Sequence, residues 1–270
     1  MKTFISAFLF TAVLALPALA DTGARGPLLP DGHVPGPNPV IEGTASINEG
    51  FEDITTLPGA GWFAQNNSSP LGTTGWFQGN TSVFSAHAGP ANSYLAANFN
   101  NTAGAGTISN WMLTPEIDFG IGAELSFFTR RTTSQWTDRL EVRLSTNGSS
   151  TNVGSGPSDV GDFTTLLTSI NPNLVAGGYP DIWTQFILNN SDGIPTSGTG
   201  RIAFRYYVTS GGPAGDNSDY IGIDTVTYEP GTGAPAIPEF TPVPVNNIWA
   251  LSLLVLLLAG LGVFVIRRMA

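Results

Sequence analysis

A side-chain period of two constrains this 270-residue chain more than any other feature. Leu140, Val142 and Leu144 alternate with Arg139, Glu141 and Arg143, and Ile202, Phe204, Tyr206 and Val208 alternate with Arg201, Ala203, Arg205 and Tyr207. Successive side chains of an extended strand point to opposite faces, so each run gives one face to a core and the other to water. Asn147-Gly148, just after the first run, supplies the residues of a tight hairpin. Further β-rich runs, Ala123 to Arg130, Phe163 to Ile170, Trp183 to Leu188 and Tyr220 to Tyr228, are set apart by Gly, Pro, Asn, Asp and Ser clusters. No stretch offers an amphipathic helix. Many short strands joined by such loops predict an all-β antiparallel sandwich. Residues 46–229, about 180 of them, suffice for one core.

The flanks read differently. Lys2, the apolar stretch Phe4 to Leu16 and Ala18-Leu19-Ala20 form a signal peptide over residues 1–20, with cleavage before Asp21. Residues 21–45 are a Pro/Gly-rich linker, and residues 230–246 form a Pro-rich stalk. In the final segment, 247–270, no charge occurs from Ile248 to Ile266. Such a run gives a helix of about 28 Å, close to the thickness of a bilayer's hydrocarbon core. Trp249 stands where an interfacial aromatic would, and Arg267 with Arg268 supply the positive flank of a transmembrane helix whose far end is cytoplasmic. The expected location is therefore extracytoplasmic, held at the inner membrane by the tail.

Composition narrows the chemistry. There is no cysteine, which excludes disulfides and Cys-based zinc or thiol chemistry. Lys2 is the one lysine, so the exported part meets its twenty acids with seven arginines, and nucleic acid is excluded as a partner. A phosphate-cradling Gly-rich loop with its lysine is excluded too. A Ser-His-Asp hydrolase would need His87, since His33 lies in the linker, and no serine sits in a G-x-S-x-G elbow. Jelly-roll glycosidases need two carboxylates across a cleft, and Glu116 and Asp118 begin an E-x-D-x-x-E-like pattern whose third acid is replaced by Ile121. Asp159 and Asp162 lack the spacing of a calcium loop and read as a solvated turn, as do Asp216 and Asp219. Most tryptophans are expected in the core. Trp136 is the exception, because it lies in the polar run Arg131 to Asp138 between two strands, and loops carry binding residues.

Two resemblances add to this reading. The segment Pro242-Val243-Pro244, followed by Trp249-Ala250-Leu251, an apolar helix and Arg267-Arg268, resembles the IPTL-type C-terminal sorting signals of Gram-negative bacteria. Val245-Asn246-Asn247-Ile248 stands here in place of that family's Thr-Leu-Ser-Glu. The resemblance implies an exosortase-type enzyme as partner and a final place at the cell surface or outside it; a plain membrane anchor is the alternative.

The landmarks Phe51-Glu52, Gly61-Trp62, Gly75-Trp76, Asn92-Ser93-Tyr94-Leu95, Trp111 to Asp118, Leu125-Ser126-Phe127, Arg139-Leu140-Glu141-Val142, Ile202-Ala203-Phe204-Arg205 and Ile221 to Val226 resemble choice-of-anchor J domains, close to cleaved-adhesin and MAM-like modules. That resemblance covers nearly all of Ile47 to Tyr228 and implies a jelly-roll β-sandwich used for adhesion or carbohydrate contact. It also implies a calcium ion shared by Glu52 and Asp224, with loop carbonyls near Asn92, if first and last strands are neighbours; Thr225 replaces a second Asp. Expected partners are an extracellular glycan or protein. A secreted hydrolase or its accessory domain, and a structural envelope protein, are the alternative functions.

Overall fold

The computed structural model describes residues 46–232; the expected signal peptide and N-terminal linker, all but the start of the expected stalk, and the expected C-terminal helix lie outside the described residues. In chain order the strands are β1 (Ile47–Glu49), β2 (Phe63–Asn66), β3 (Ser69–Leu71), β4 (Phe77–Gln78), β5 (Leu95–Asn98) and β6 (Thr102–Leu113). They continue as β7 (Ile117–Asp118), β8 (Glu124–Arg131), β9 (Leu140–Ser145), β10 (Thr165–Ile170), β11 (Thr184–Asn189), β12 (Thr199–Gly211) and β13 (Tyr220–Glu229). Helical structure among the described residues is limited to three short 3-10 turns, Ile54–Thr56, Phe99–Asn101 and Asn190–Asp192.

The strands form two antiparallel sheets. The six-stranded sheet has the order β11-β8-β13-β5-β4, with β1 pairing β13; the seven-stranded sheet has the order β10-β9-β12-β6-β2, with β3 on β6 and β7 on β12. The alternating positions of β9 and β12 turn inward together with Leu125, Phe127, Ile221, Ile223 and Val226 of the other sheet. Phe127 of β8 meets Phe204 of β12 edge-on at 5.1 Å and stacks on Phe186 of β11 at 5.5 Å, so aromatic contacts join the two layers of a β-sandwich.

The strand directions sort the loops. β13 runs from Tyr220, opposite Asn98, to Glu229, opposite Glu124. The chain leaves at that second end, where Thr232 bridges Ile121. The loops 132–139, 171–183 and 212–219 therefore gather at the other, distal end.

Two expectations change, and one strand enters that the sequence did not announce. The 12-residue β6 is a central strand, although its first half, Thr102 to Thr107, is built of small residues without alternation. Glu141, Arg201 and Arg205 were expected to face water, yet all are buried. The cause is tertiary: the chain after β9 folds back over the outer face, and Val153 and Phe163 join Phe63, Trp111, Leu113 and Ala203 in a second apolar cluster. Asn147-Gly148 does make a turn, with Ser150 N–H donating to Asn147 O at 3.0 Å, but β10 begins only at Thr165. The turn opens a long excursion instead of a tight hairpin. Arg205 clamps that excursion. Its Nη2 donates to the carbonyls of Pro157 (2.5 Å) and Asp159 (3.3 Å), its Nη1 pairs with Glu141 at 3.1 Å, and its guanidinium lies 4.7 Å above Trp111.

Candidate functional site

The first and last strands are neighbours: Ile47 opposes Tyr228 and Glu49 opposes Val226. A bulge in β13 between Asp224 and Thr227, with Thr225 at φ 50, shifts the alternation by one, so Asp224 and Thr225 both leave the core side. There the 79–93 loop crosses the sheet. Asp224 is fully buried beneath it; Oδ2 accepts the amides of His87 (2.7 Å) and Ala88 (3.2 Å), and Oδ1 accepts the amide of Thr225 (2.6 Å). One residue further along, Gly89 turns at φ +72, where a Cβ would sit 3.5 Å from Glu52 Oε1 and 3.6 Å from Ser93 Oγ. The fold thus places Glu52 and Asp224 on one short turn, residues 87–89.

The electrostatics of this turn are one-sided. Burial pushes the Asp224 carboxyl above its usual range against the hydrogen bonds from Ala88, His87 and Thr225. Burial also raises Glu49, against its hydrogen bond from the Phe51 amide, and the nearby charge of Glu52 adds to the rise. Neither carboxyl has a cationic side chain among the groups that shift it. Ser93 Oγ is buried with no hydrogen-bond partner. Two carboxylates, an orphaned hydroxyl and loop carbonyls are a donor set that suits a hard cation. The Asn92 carbonyl already accepts Gln78 Nε2 (2.7 Å) and the Tyr94 amide (2.8 Å). No group of three His, Asp or Glu close enough to hold a metal occurs among the described residues, so neutral oxygens would have to complete the shell. His87 itself is a loop residue, its ring stacked on Phe128 at 3.5 Å.

The second candidate, Trp136, lies at the distal end. Arg131, the last residue of β8, is buried and draws the 132–138 loop around its guanidinium: Nη1 donates to Trp136 O (2.7 Å), Nη2 to Ser134 O (3.2 Å), and Nε pairs with Asp181 (2.8 Å). Thr137 adds two links to the 212–219 loop, its hydroxyl to Asn217 Oδ1 (2.6 Å) and its carbonyl to the Ser218 amide (2.9 Å). Asp138 O accepts Asn171 Nδ2 at 2.9 Å. The loop around Trp136 is thus held by Arg131 at the carbonyls of Ser134 and Trp136 and by the two neighbouring loops at Thr137 and Asp138, while the Trp136 side chain stays half-buried. On the 171–183 loop Val175 and Ile182 are 55% and 72% exposed.

Of the other tryptophans, Trp62, Trp76 and Trp111 are core residues, as expected. Trp183 is only half-buried, at the start of an edge strand, where its Nε1 donates to Ser85 O at 2.9 Å. Sequence reasoning weighed it with the other tryptophans without singling it out, and did not single out Glu49, Ser93 or Asp138. Asp159 and Asp162 bind their own loop: Asp159 accepts the Gly156 amide (2.8 Å) and Asp162 the Ser150 hydroxyl (2.6 Å), and both carboxyls are drawn down. Pro242, Val243, Pro244, Trp249, Arg267 and Arg268 lie outside the described residues. No helix among the described residues is long and apolar enough to cross a membrane.

No known family and no curated protein matches the chain. Among solved structures it is similar to the K1 cleaved adhesin domain of Lys-gingipain from Porphyromonas gingivalis W83, at 20% identity and a TM-score of 0.45, over 71% of this chain and 99% of that one. It is similar to the K3 domain of the same protein at 19% identity and 0.44, over 70% and 100%. The family 11 carbohydrate-binding module from Clostridium thermocellum, solved with a β-1,3-1,4-mixed-linked tetrasaccharide, follows at 14% identity and 0.36, over 71% and 99%.

Proposed function

We propose that the protein is an exported adhesion or carbohydrate-binding module of jelly-roll type, without catalytic activity, sorted to the cell surface through its C-terminal segment. The observation that carries the binding part is Trp136: a half-buried indole on a loop whose backbone is fixed by Arg131 and Thr137. A pre-ordered aromatic face offers apolar area to a sugar ring at little cost in ordering entropy. The distal end is also the end away from the chain's exit at Pro230, which leaves it open to a ligand when the C-terminus is tethered.

In this reading Glu52 and Asp224 hold a calcium ion with Ser93 Oγ and loop carbonyls. When bound, the ion supplies the positive charge that buried Asp224 lacks and ties the 79–93 loop to the last strand. Signal-peptide removal before Asp21 and recognition of Pro242-Val243-Pro244 by an exosortase-type enzyme complete the route, with Trp249 at the interface and Arg267 and Arg268 on the cytoplasmic side. The paired prolines suit an accessible segment, since they resist absorption into helix or sheet.

A glycan array probed with wild type and Trp136→Ala tests the binding part. Retention of a glycan by wild type and its loss in the variant, at unchanged melting temperature, is the expected result; equal retention contradicts the site. In the native host, Pro244→Leu should block release while leaving membrane insertion intact, and equal inner-membrane retention of both forms would reduce the tail to an anchor.

A further inference from the structure

Asp138 is a buried acid that neither candidate site uses. It is fully buried at the distal end, between the Trp136 loop and β9. Its Oδ1 accepts the Tyr206 hydroxyl at 2.5 Å and the Asp219 amide at 2.9 Å, while Oδ2 is buried without a hydrogen-bond partner. Every neighbouring element contributes a group. From β12 comes Tyr206; from the end of the 212–219 loop comes Asp219, whose charge opposes ionisation; from β8 comes Arg131, which favours it. From the 171–183 loop comes Tyr179, whose hydroxyl is 2.6 Å from Thr129 Oγ1. Arg131 does not make a hydrogen bond to Asp138, because its nitrogens serve Asp181, Trp136 and Ser134.

We propose that Asp138 is a proton-operated lock on the loop end that carries Trp136, closed when the carboxyl is protonated and loosened when it ionises. The protonated group keeps both hydrogen bonds at Oδ1 and carries no charge, so the three loops stay joined. Ionisation leaves a charge with one oxygen out of reach of water, and the loops relieve that cost by parting so that water solvates Oδ2. Burial raises the carboxyl from 3.8 to about 7 in the closed form. For an acid raised in the closed form, closure is strongest below the open-form value and weakens as pH climbs towards the closed-form value. Between pH 4 and pH 7 the open-to-closed ratio therefore grows by up to about tenfold per unit, and it levels off above. The lock regulates the binding end proposed above and rests on that reading for its biological meaning, not for its chemistry.

Hydrogen exchange on the full-length protein tests it through the amides of Asp219 and Ser218, with rates corrected for the intrinsic pH dependence. Protection should fall at least tenfold from pH 5 to pH 7 in wild type and stay flat in Asp138→Asn. Should that variant fail to fold, the carboxyl carbon of Asp138 can be titrated in wild type by NMR, with a midpoint near 7 expected. A midpoint near or below 4, or pH-independent protection in wild type, overturns the lock. Loss of glycan binding at every pH with intact pH-dependent protection would instead remove the binding reading and leave the lock standing.

Discussion

The 146–163 excursion and the distal loops both close over a buried ionisable side chain, but the two differ in kind. Arg205 holds the excursion with a guanidinium that stays cationic, paired with Glu141 at 3.1 Å and forked onto two carbonyls. The result is a roof that puts Trp111 and Phe163 in the core, their rings 5.9 Å apart. At the distal end the fastening passes through Asp138, a group that is neutral when protonated and gains a charge as pH rises, and the loop aromatic Trp136 stays half-buried. An always-charged clamp makes an outer sheet face part of the core, whereas a titratable one leaves a face that can respond. That contrast separates the aromatics of the fold from the one assigned to binding.

Removing Arg205 should have the largest effect. Arg205→Ala strips the roof of its clamp and leaves Glu141 buried with Arg143 alone, a loss of about 3–5 kcal/mol in denaturant unfolding. Protease cleavage within 146–163 should appear first; a loss below about 1 kcal/mol would mean that the apolar cluster holds the roof unaided.

The distal acid should act in the opposite direction. Its raised value means stability that is complete in acid and is lost as pH rises towards about 7. Asp138→Asn should therefore stabilise the protein at pH 8, by on the order of 4 kcal/mol at most, and do little at pH 4. A variant destabilised at pH 8, or a wild type equally stable from pH 4 to pH 8, would break the contrast between the two ends.

These two ends were not equally readable from the sequence. The inward faces of β9 and β12 were plain in their alternation, whereas the pairing of β1 with β13 entered only as a condition attached to the family landmarks. The burial of Glu141, Arg201 and Arg205 was not readable, because a roof formed by a loop leaves no periodic trace in the strand it covers. The start of β6 was obscured by its small residues: Ala103, Gly104, Ala105 and Gly106 carry no apolar face to count. Asp138 looked like one more loop acid, since its isolation depends on Tyr206, far along the chain. The loop position of Trp136 was legible because a large aromatic in a polar inter-strand run is anomalous on its own, while its binding role is a proposal.

Calcium should have a smaller effect. At a hundredfold excess over its Kd the ion would add about 2.7 kcal/mol, seen as a rise in Tm that chelator reverses. Asp224→Asn and Glu52→Gln should each abolish the rise; an identical melting curve with and without chelator would remove the metal from the site.

Trp136→Ala should change stability least, by no more than about 1 kcal/mol for a half-exposed loop side chain. Its effect on binding is the most direct test of the central claim, that the distal loops are the ligand-binding end. The measurement is the Kd of wild type and Trp136→Ala for a glycan retained on the array, at pH 5 and constant calcium. At least a tenfold weakening with an unchanged Tm is the predicted result; an equal Kd for the two proteins would contradict the claim.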